Sequence, residues 1–192
     1  MIKGFAVDID ETLALTNEFW AEHHIKTYGN PENLTAKEMI EKYDFVKDVP
    51  YWQIPEAHEW VEAHINSNEA KLEIPVVPGA IEIMQTIPVA CYLSNRPAHT
   101  INGTYRWQRM HGFPNREIFS ENKGMDWKAR KLEEMFPQVQ GIIDDNDELI
   151  AALNPSYEGR IILYSQKPLK LQSSLDIVIC SSLQEIGNYI NN

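Results

Sequence analysis

After residue 78 the chain alternates short apolar runs with stretches of helical character, which restricts it to a parallel α/β sheet covered by helices. Apolar runs at residues 88–93, 118–119, 139–143, 160–164 and 177–180 read as strands. Residues 98–111, 126–136, 147–153 and 182–190 read as helices, the first ended by Gly112 and the second by Pro137. A further strand over residues 4–10 opens the chain, and the sheet is expected to hold it at its centre.

Residues 14–78 break this rhythm. Helical segments at roughly 14–28, 35–43 and 55–66 follow one another with no strand pattern between them. The segment is rich in aromatics: Phe19, Trp20, Tyr28, Tyr43, Phe45, Tyr51, Trp52 and Trp60. It leaves the sheet directly after the first strand and returns at Pro75–Gly79. The expected organisation is therefore an α/β core made of residues 1–13 and 79–192, with residues 14–78 inserted as a helical cap over one edge of the sheet.

A hydrophobic fraction of 43% and a charged fraction of 23% are those of an ordinary water-soluble domain. No apolar run approaches the roughly 18 residues that a membrane span needs. The amino terminus enters a strand within a few residues, leaving no room for a signal peptide, so a cytoplasmic location is expected. Cys91 and Cys180 both lie in apolar runs and read as buried thiols of a reducing compartment. The net charge of −11 disfavours polymeric nucleic acid, which is bound by clustered Lys and Arg. A single phosphate on a small substrate remains compatible with that charge.

The chemistry is concentrated at strand ends. Asp8 and Asp10 close the first apolar run, and alternation along a strand turns both side chains to the same side. The carboxyl ends of strands are where open parallel sheets bind ligands. Asp-rich turns also arise for purely structural reasons, because Asp accepts backbone hydrogen bonds. Two like charges this close are nevertheless costly unless a proton or cation lies between them, which points to a hard metal ion and acid–base work. Three further groups follow in order. Ser94 ends the strand at 88–93, with Asn95 and Arg96 in the loop after it. Lys128 lies in the first turn of the helix at 126–136 and is preferred over Lys123 and Arg109. Asp144 and Asp145 end the strand at 139–143. The six histidines show no metal-ligand spacing. Trp20, on the first helix after the Asp pair, is the aromatic expected to face substrate.

This order of groups resembles the haloacid dehalogenase-like superfamily of phosphotransferases. Asp8-Ile9-Asp10-Glu11-Thr12 matches its first motif, Ser94 the second, Lys128 the third and Asp144-Asp145 the fourth. The resemblance implies a Rossmann-like parallel sheet with an inserted cap. It makes Asp8 a nucleophile that forms an aspartyl-phosphate. Asp10 becomes the acid that protonates the leaving oxygen and then activates water, so its surroundings are expected to raise its pKa. Ser94 and Lys128 would hold the transferring phosphoryl oxygens. Asp8, the main-chain carbonyl of Asp10, Asp145 and Asp144 would hold Mg²⁺. Dehalogenases of the superfamily lack a carboxylate two residues after the nucleophile, so Asp10 favours phosphoryl transfer to water.

Within the superfamily the chain is most similar to the 5′(3′)-deoxyribonucleotidase-like branch. The residues that carry this are Pro78-Gly79-Ala80, Arg96-Pro97, Thr104 with Trp107 three residues on, and Gly112-Phe113-Pro114. The implied substrate is a nucleoside monophosphate, with Asn95, Arg96 and Trp20 as substrate contacts. Phosphatases of sugar phosphates or other small metabolites form the alternative, and a catalytically idle binding domain is a third.

Overall fold

The computed structural model describes residues 3–43, 45–165 and 173–192. Six strands among them form one sheet: β1 (Gly4–Val7), β2 (Val89–Ser94), β3 (Ile118–Ser120), β4 (Val139–Asp144), β5 (Arg160–Tyr164) and β6 (Ile177–Cys180). Their order is β3-β2-β1-β4-β5-β6, and every neighbouring pair is parallel. β1 thus sits inside the sheet between β2 and β4, as its apolar run requires. A parallel sheet is covered on both faces, so its inner strands are unbroken apolar runs, and every residue of β1 and β2 is buried.

Alternation along β1 feeds two cores. Phe5 and Val7 pack on one face with Ile83, Trp107, Phe113 and Ile186. Ala6 packs on the other with Leu93, Leu132, Ile142 and Leu149. Gly4 and Gly141 permit close strand contacts: a Cβ on Gly4 would stand 2.0 Å from the Pro88 carbonyl oxygen, and one on Gly141 1.9 Å from that of Arg160. β1 ends at Val7, not at residue 10, because the ladder closes with Asp8 N–H donating to the Ile143 carbonyl at 2.8 Å. The chain then turns, with the N–H groups of Leu13 and Ala14 both donating to the Ile9 carbonyl.

Between β1 and β2 lie α1 (Thr16–Tyr28), α2 (Ala36–Tyr43), α3 (Pro55–Trp60) and α4 (Ala70–Glu73). α1 and α2 close a small cluster of their own with Ala21, Ala36, Met39, Val46, Val49 and Trp52. The expected helix over 55–66 is α3 continued by a π-helical turn at Val61–Ile65, and α4 was not expected. The two ends of the insertion run side by side: Val77 N–H donates to the Leu13 carbonyl at 2.8 Å and Leu15 N–H to that of Pro75 at 2.9 Å. The remaining helices are α5 (Ala80–Thr86), α6 (Ile101–Met110), α7 (Met125–Met135), α8 (Glu148–Ala152) and α9 (Leu183–Asn191). No helix among the described residues is long and apolar enough to cross a membrane.

Candidate active site

The strand order reverses direction at β1: β2 lies on one side of it and β4 on the other. That switch point opens a crevice beyond the strands' carboxyl ends. Asp8 and Asp10 enter it from the end of β1, Asn95 and Arg96 from the loop after β2, and Asp144 and Asp145 from the end of β4. Lys128 comes from the first turn of α7, Trp20 from α1 and Lys71 from α4. Together they line a cavity of about 250 Å³.

Lys128 occupies the floor. Its Nζ lies 2.5 Å from Asp8 Oδ1 and 2.6 Å from Asp144 Oδ2, with all three side chains buried. Burial opposes the ammonium's charge, but the two carboxylates outweigh it and raise the lysine's pKa. The other two candidates lie elsewhere. Lys123 pairs with Glu121 on the surface, and Arg109 belongs to a groove along α6 with Asn102, Tyr105 and Arg106.

Asp8, Asp144 and Asp145 each offer an oxygen, and these atoms lie within 4.8 Å of one another. Burial, partly offset by Lys128 and reinforced by Asp144 and Asp10, pushes the Asp8 carboxyl up to about 7. Burial and the charges of Asp8 and Asp144 also drive Asp145 well above the usual carboxylate range. One lysine therefore does not offset burial and crowding together. Carboxylate oxygens converging at this spacing, with excess negative charge, fit a hard divalent cation such as Mg²⁺. Thr12 Oγ1 donates to Asp145 Oδ1 at 3.2 Å, and Asn146 N–H donates to Asp144 Oδ1 at 2.9 Å, so both carboxylates are held in orientation.

Asp10 departs from expectation. The guanidinium of Arg96 grips it through Nε, 3.0 and 3.1 Å from the two carboxylate oxygens, and through Nη2, 2.9 Å from Oδ1. Thr16 Oγ1 donates to Oδ1 at 2.5 Å. Burial alone would raise the Asp10 carboxyl. The charge and hydrogen bonds of Arg96, with the bond from Thr16, overcome it and hold the group at about 2. The expected rise is thus reversed, because the sequence shows that an arginine follows Ser94 but not where its guanidinium reaches. Arg96 is itself firmly seated. It is 3% exposed, its Nη1 donates to Thr104 Oγ1 at 3.4 Å, and its guanidinium lies 5.6 Å from the Trp107 ring centroid.

Ser94 is buried behind this pair. Its hydroxyl accepts from the Arg96 N–H at 3.1 Å and approaches Asp10 Oδ2 at 3.4 Å, while Asn95 and Arg96 line the cavity in front of it. Asn95 Oδ1 is buried without a hydrogen-bond partner among the described residues. Trp20 lines the cavity as expected, and its indole N–H is also buried without an acceptor among the described residues. No histidine among the described residues lines the cavity.

Three contributors escape a reading of the sequence. Thr16 reaches Asp10 only because α1 begins there. Glu11, at φ 60°, accepts the Asn17 N–H through Oε1 at 2.6 Å and so caps the first turn of α1. Burial, opposed by that bond and aided by Asp10, lifts its carboxyl to about 7. Lys71 lies beyond the last helix expected in the insertion, in a stretch of polar residues, yet it is 1% exposed.

No family model matches the chain, and no curated protein sequence matches it. Solved structures do. A haloacid dehalogenase superfamily hydrolase of subfamily IA, variant 1, from Geobacter sulfurreducens is similar with a TM-score of 0.62 at 15% identity, over 98% of this chain and 96% of that one. A hydrolase of the same superfamily from Deinococcus radiodurans, with phosphate and sodium bound, is similar with a TM-score of 0.50 at 14% identity, over 96% and 93%. The likeness is one of fold: the chain has the haloacid dehalogenase-like α/β architecture, a Rossmann-like parallel sheet with flanking helices.

Proposed function

We propose that the chain is a Mg²⁺-dependent phosphomonoester hydrolase. Supporting this most directly is the cluster of Asp8, Asp144 and Asp145 around Lys128 at the switch point, with Asp10 two residues past Asp8. In this reading Asp8, Asp144, Asp145 and the main-chain carbonyl of Asp10 hold the cation. When bound, Mg²⁺ neutralises the phosphate dianion and the crowded carboxylates, so that an anionic nucleophile can approach phosphorus.

The chain's own groups do the rest. A carboxylate oxygen of Asp8 forms a bond to phosphorus while the bond from phosphorus to the ester oxygen breaks. Lys128 and Asn95 donate to the phosphoryl oxygens as charge builds there, with Ser94 supporting the loop from behind. Asp10 delivers a proton to the departing alkoxide and takes one back from the water that cleaves the acyl phosphate. Arg96 holds Asp10 as a carboxylate. An arriving phosphate dianion competes for the guanidinium; once its donors turn to the phosphate, the released Asp10 takes up a proton from solvent water, and it is this proton that it gives to the departing oxygen.

Residues 14–78 are assigned as the cap and residues 1–13 and 79–192 as the core. The cap supplies Trp20, Phe45, Asn66 and Lys71 to the cavity wall, where the leaving group would lie. The nucleotidase-like motifs, with Trp20 and Phe45, support a nucleoside monophosphate. A second reading, a small metabolite phosphate, is favoured by the cavity of about 250 Å³, because ligand sites more often span roughly 300–1,000 Å³. The test is phosphate release from a panel of nucleoside monophosphates, sugar phosphates and phosphorylated hydroxy acids, with Mg²⁺ and with excess chelator. Release that needs Mg²⁺ is expected; undiminished release in chelator, or none from any ester, contradicts the proposal.

A further inference from the structure

Residues 66–74 of the inserted segment are tied at both ends to α6 and the turn that leads into it. At one end His99, in that turn, donates through Nε2 to the Asn66 carbonyl at 2.8 Å. Asn68 reaches the same place twice: its Nδ2 donates to the His99 carbonyl at 3.2 Å, and its Oδ1 accepts the Gly103 N–H at 2.6 Å. At the other end the Trp107 indole N–H donates to the Ile74 carbonyl at 2.8 Å. The Asn68 contact has a local cause. The first N–H groups of a helix find no partner within it, and Gly103 is the third residue of α6. Thr100, directly before the helix, does not cap it, because its hydroxyl donates to the Pro97 carbonyl at 2.8 Å. Asn68 supplies the missing acceptor from another part of the chain. Gly103 makes room for it: a Cβ there would stand 2.3 Å from the Asn68 carbonyl oxygen.

The same helix seats Arg96, through Thr104 Oγ1 at 3.4 Å and the Trp107 ring centroid at 5.6 Å. The segment that Asn68 fastens carries Asn66 and Lys71 into the cavity wall. We propose that Asn68 is a positioning residue: by clasping α6 it sets the spacing between Arg96, at the phosphate end, and the wall that meets the leaving group, and this spacing selects the ester. The inference rests on the phosphatase reading and deepens it. Asn68 stands outside the cavity lining, so it acts on substrate only through the segment it holds.

The test compares the full chain with Asn68→Ala and Asn68→Asp, with Mg²⁺, on two substrates. One is acetyl phosphate, whose small leaving group asks least of the wall. The other is whichever of thymidine 5′-monophosphate, glucose 6-phosphate and 3-phosphoglycerate the unmutated chain hydrolyses fastest. A misplacement of about 1 Å costs up to about 10²-fold, so kcat/KM for the larger ester should fall about tenfold to a hundredfold in Asn68→Ala, while that for acetyl phosphate changes by less than about twofold. Asn68→Asp keeps an acceptor for the Gly103 N–H and places negative charge at a helix N-terminus, so it should restore most of the loss. A merely structural role would lower both substrates in the same proportion. Amide exchange at Gly103, followed by NMR without substrate, should quicken at least about tenfold in Asn68→Ala and stay near normal in Asn68→Asp. If Asn68→Ala does not fold, Asn68→Ser decides by the same comparisons. Equal losses on both substrates, no loss on the larger ester, no rescue by Asn68→Asp, or unchanged exchange at Gly103 overturns the proposal. If the unmutated chain hydrolyses none of these compounds, the phosphatase reading fails and the selection of an ester with it, while exchange at Gly103 still judges the clasp.

Discussion

Arg96 closes on both carboxylate oxygens of Asp10, at 2.9 to 3.1 Å, while its other face rests against the Trp107 ring. Trp107 is in turn fixed by its indole N–H donating to the Ile74 carbonyl at 2.8 Å. The residue assigned to proton transfer is therefore held by a guanidinium that the core itself positions. Thr16 ties the same carboxylate to the start of α1, so one side chain joins sheet, loop and inserted segment.

From this pair comes the first prediction. Arg96→Ala should lower kcat/KM on the order of 10²–10³-fold, the usual cost of one preorganised donor at a site of developing charge. Arg96→Lys should restore little, because a single ammonium cannot reproduce the two-pronged geometry. Steady-state kinetics on both variants check this; near-normal kcat/KM in Arg96→Ala would remove Arg96 from the mechanism.

Lys128 carries a second prediction, read as stability. Lys128→Met leaves Asp8 and Asp144 buried without the charge between them, and breaking such an enclosed pair costs about 3–5 kcal/mol. Urea unfolding in chelator should show that loss, whereas an unchanged midpoint would mean that the two carboxylates are relieved in another way.

Asp8 predicts a proton linkage. With its carboxyl raised to about 7 by burial, part of the population holds a proton near neutrality. Cation binding needs the ionised form, so it must expel that proton. Mg²⁺ affinity should therefore weaken as pH falls through 7. Calorimetry in buffers of different ionisation enthalpy should detect proton release. Affinity that is flat between about pH 6 and pH 8 would contradict the raised carboxyl.

His24 makes the insertion sensitive to acid. Its ring is 3% exposed, donates through Nδ1 to the Trp20 carbonyl at 2.9 Å, and lies 4.9 Å from Trp52 and 5.7 Å from Trp60. Burial lowers its pKa, opposed by the bond to Trp20 and aided by His23 and His58. The unfolded chain thus binds the proton more readily, so this contribution is complete above about 6.5 and is lost as pH falls below it. Thermal midpoints should drop on acidification through that range and drop less in His24→Phe. Equal pH dependence in both proteins would rule His24 out as the cause.

The parallel sheet is legible in the sequence because strands buried on both faces are unbroken apolar runs: β4 and β5 lie where the pattern puts them. Their ends then deliver Asp8, Asp144 and Asp145 to one crevice, and Lys128 follows from the start of α7. The insertion is less legible, because α4 is four residues long and the π-helical turn after α3 has no hydrophobic period of its own. Arg96 and Lys71 mark the limit within the site. Long side chains reach partners that neither spacing nor strand register specifies, so the lowered Asp10 and the enclosed ammonium emerge only in three dimensions.

The central claim is that Asp8 is the nucleophile of a phosphoryl transfer. Asp8→Asn keeps the size and position of the side chain and removes its nucleophilic oxygen. Phosphate release with Mg²⁺, from the best ester found for the unmutated protein, should disappear into background in this variant, with the fold unchanged by circular dichroism. Turnover by Asp8→Asn within about tenfold of the unmutated rate, a difference of only ~1.4 kcal/mol in barrier, would contradict it.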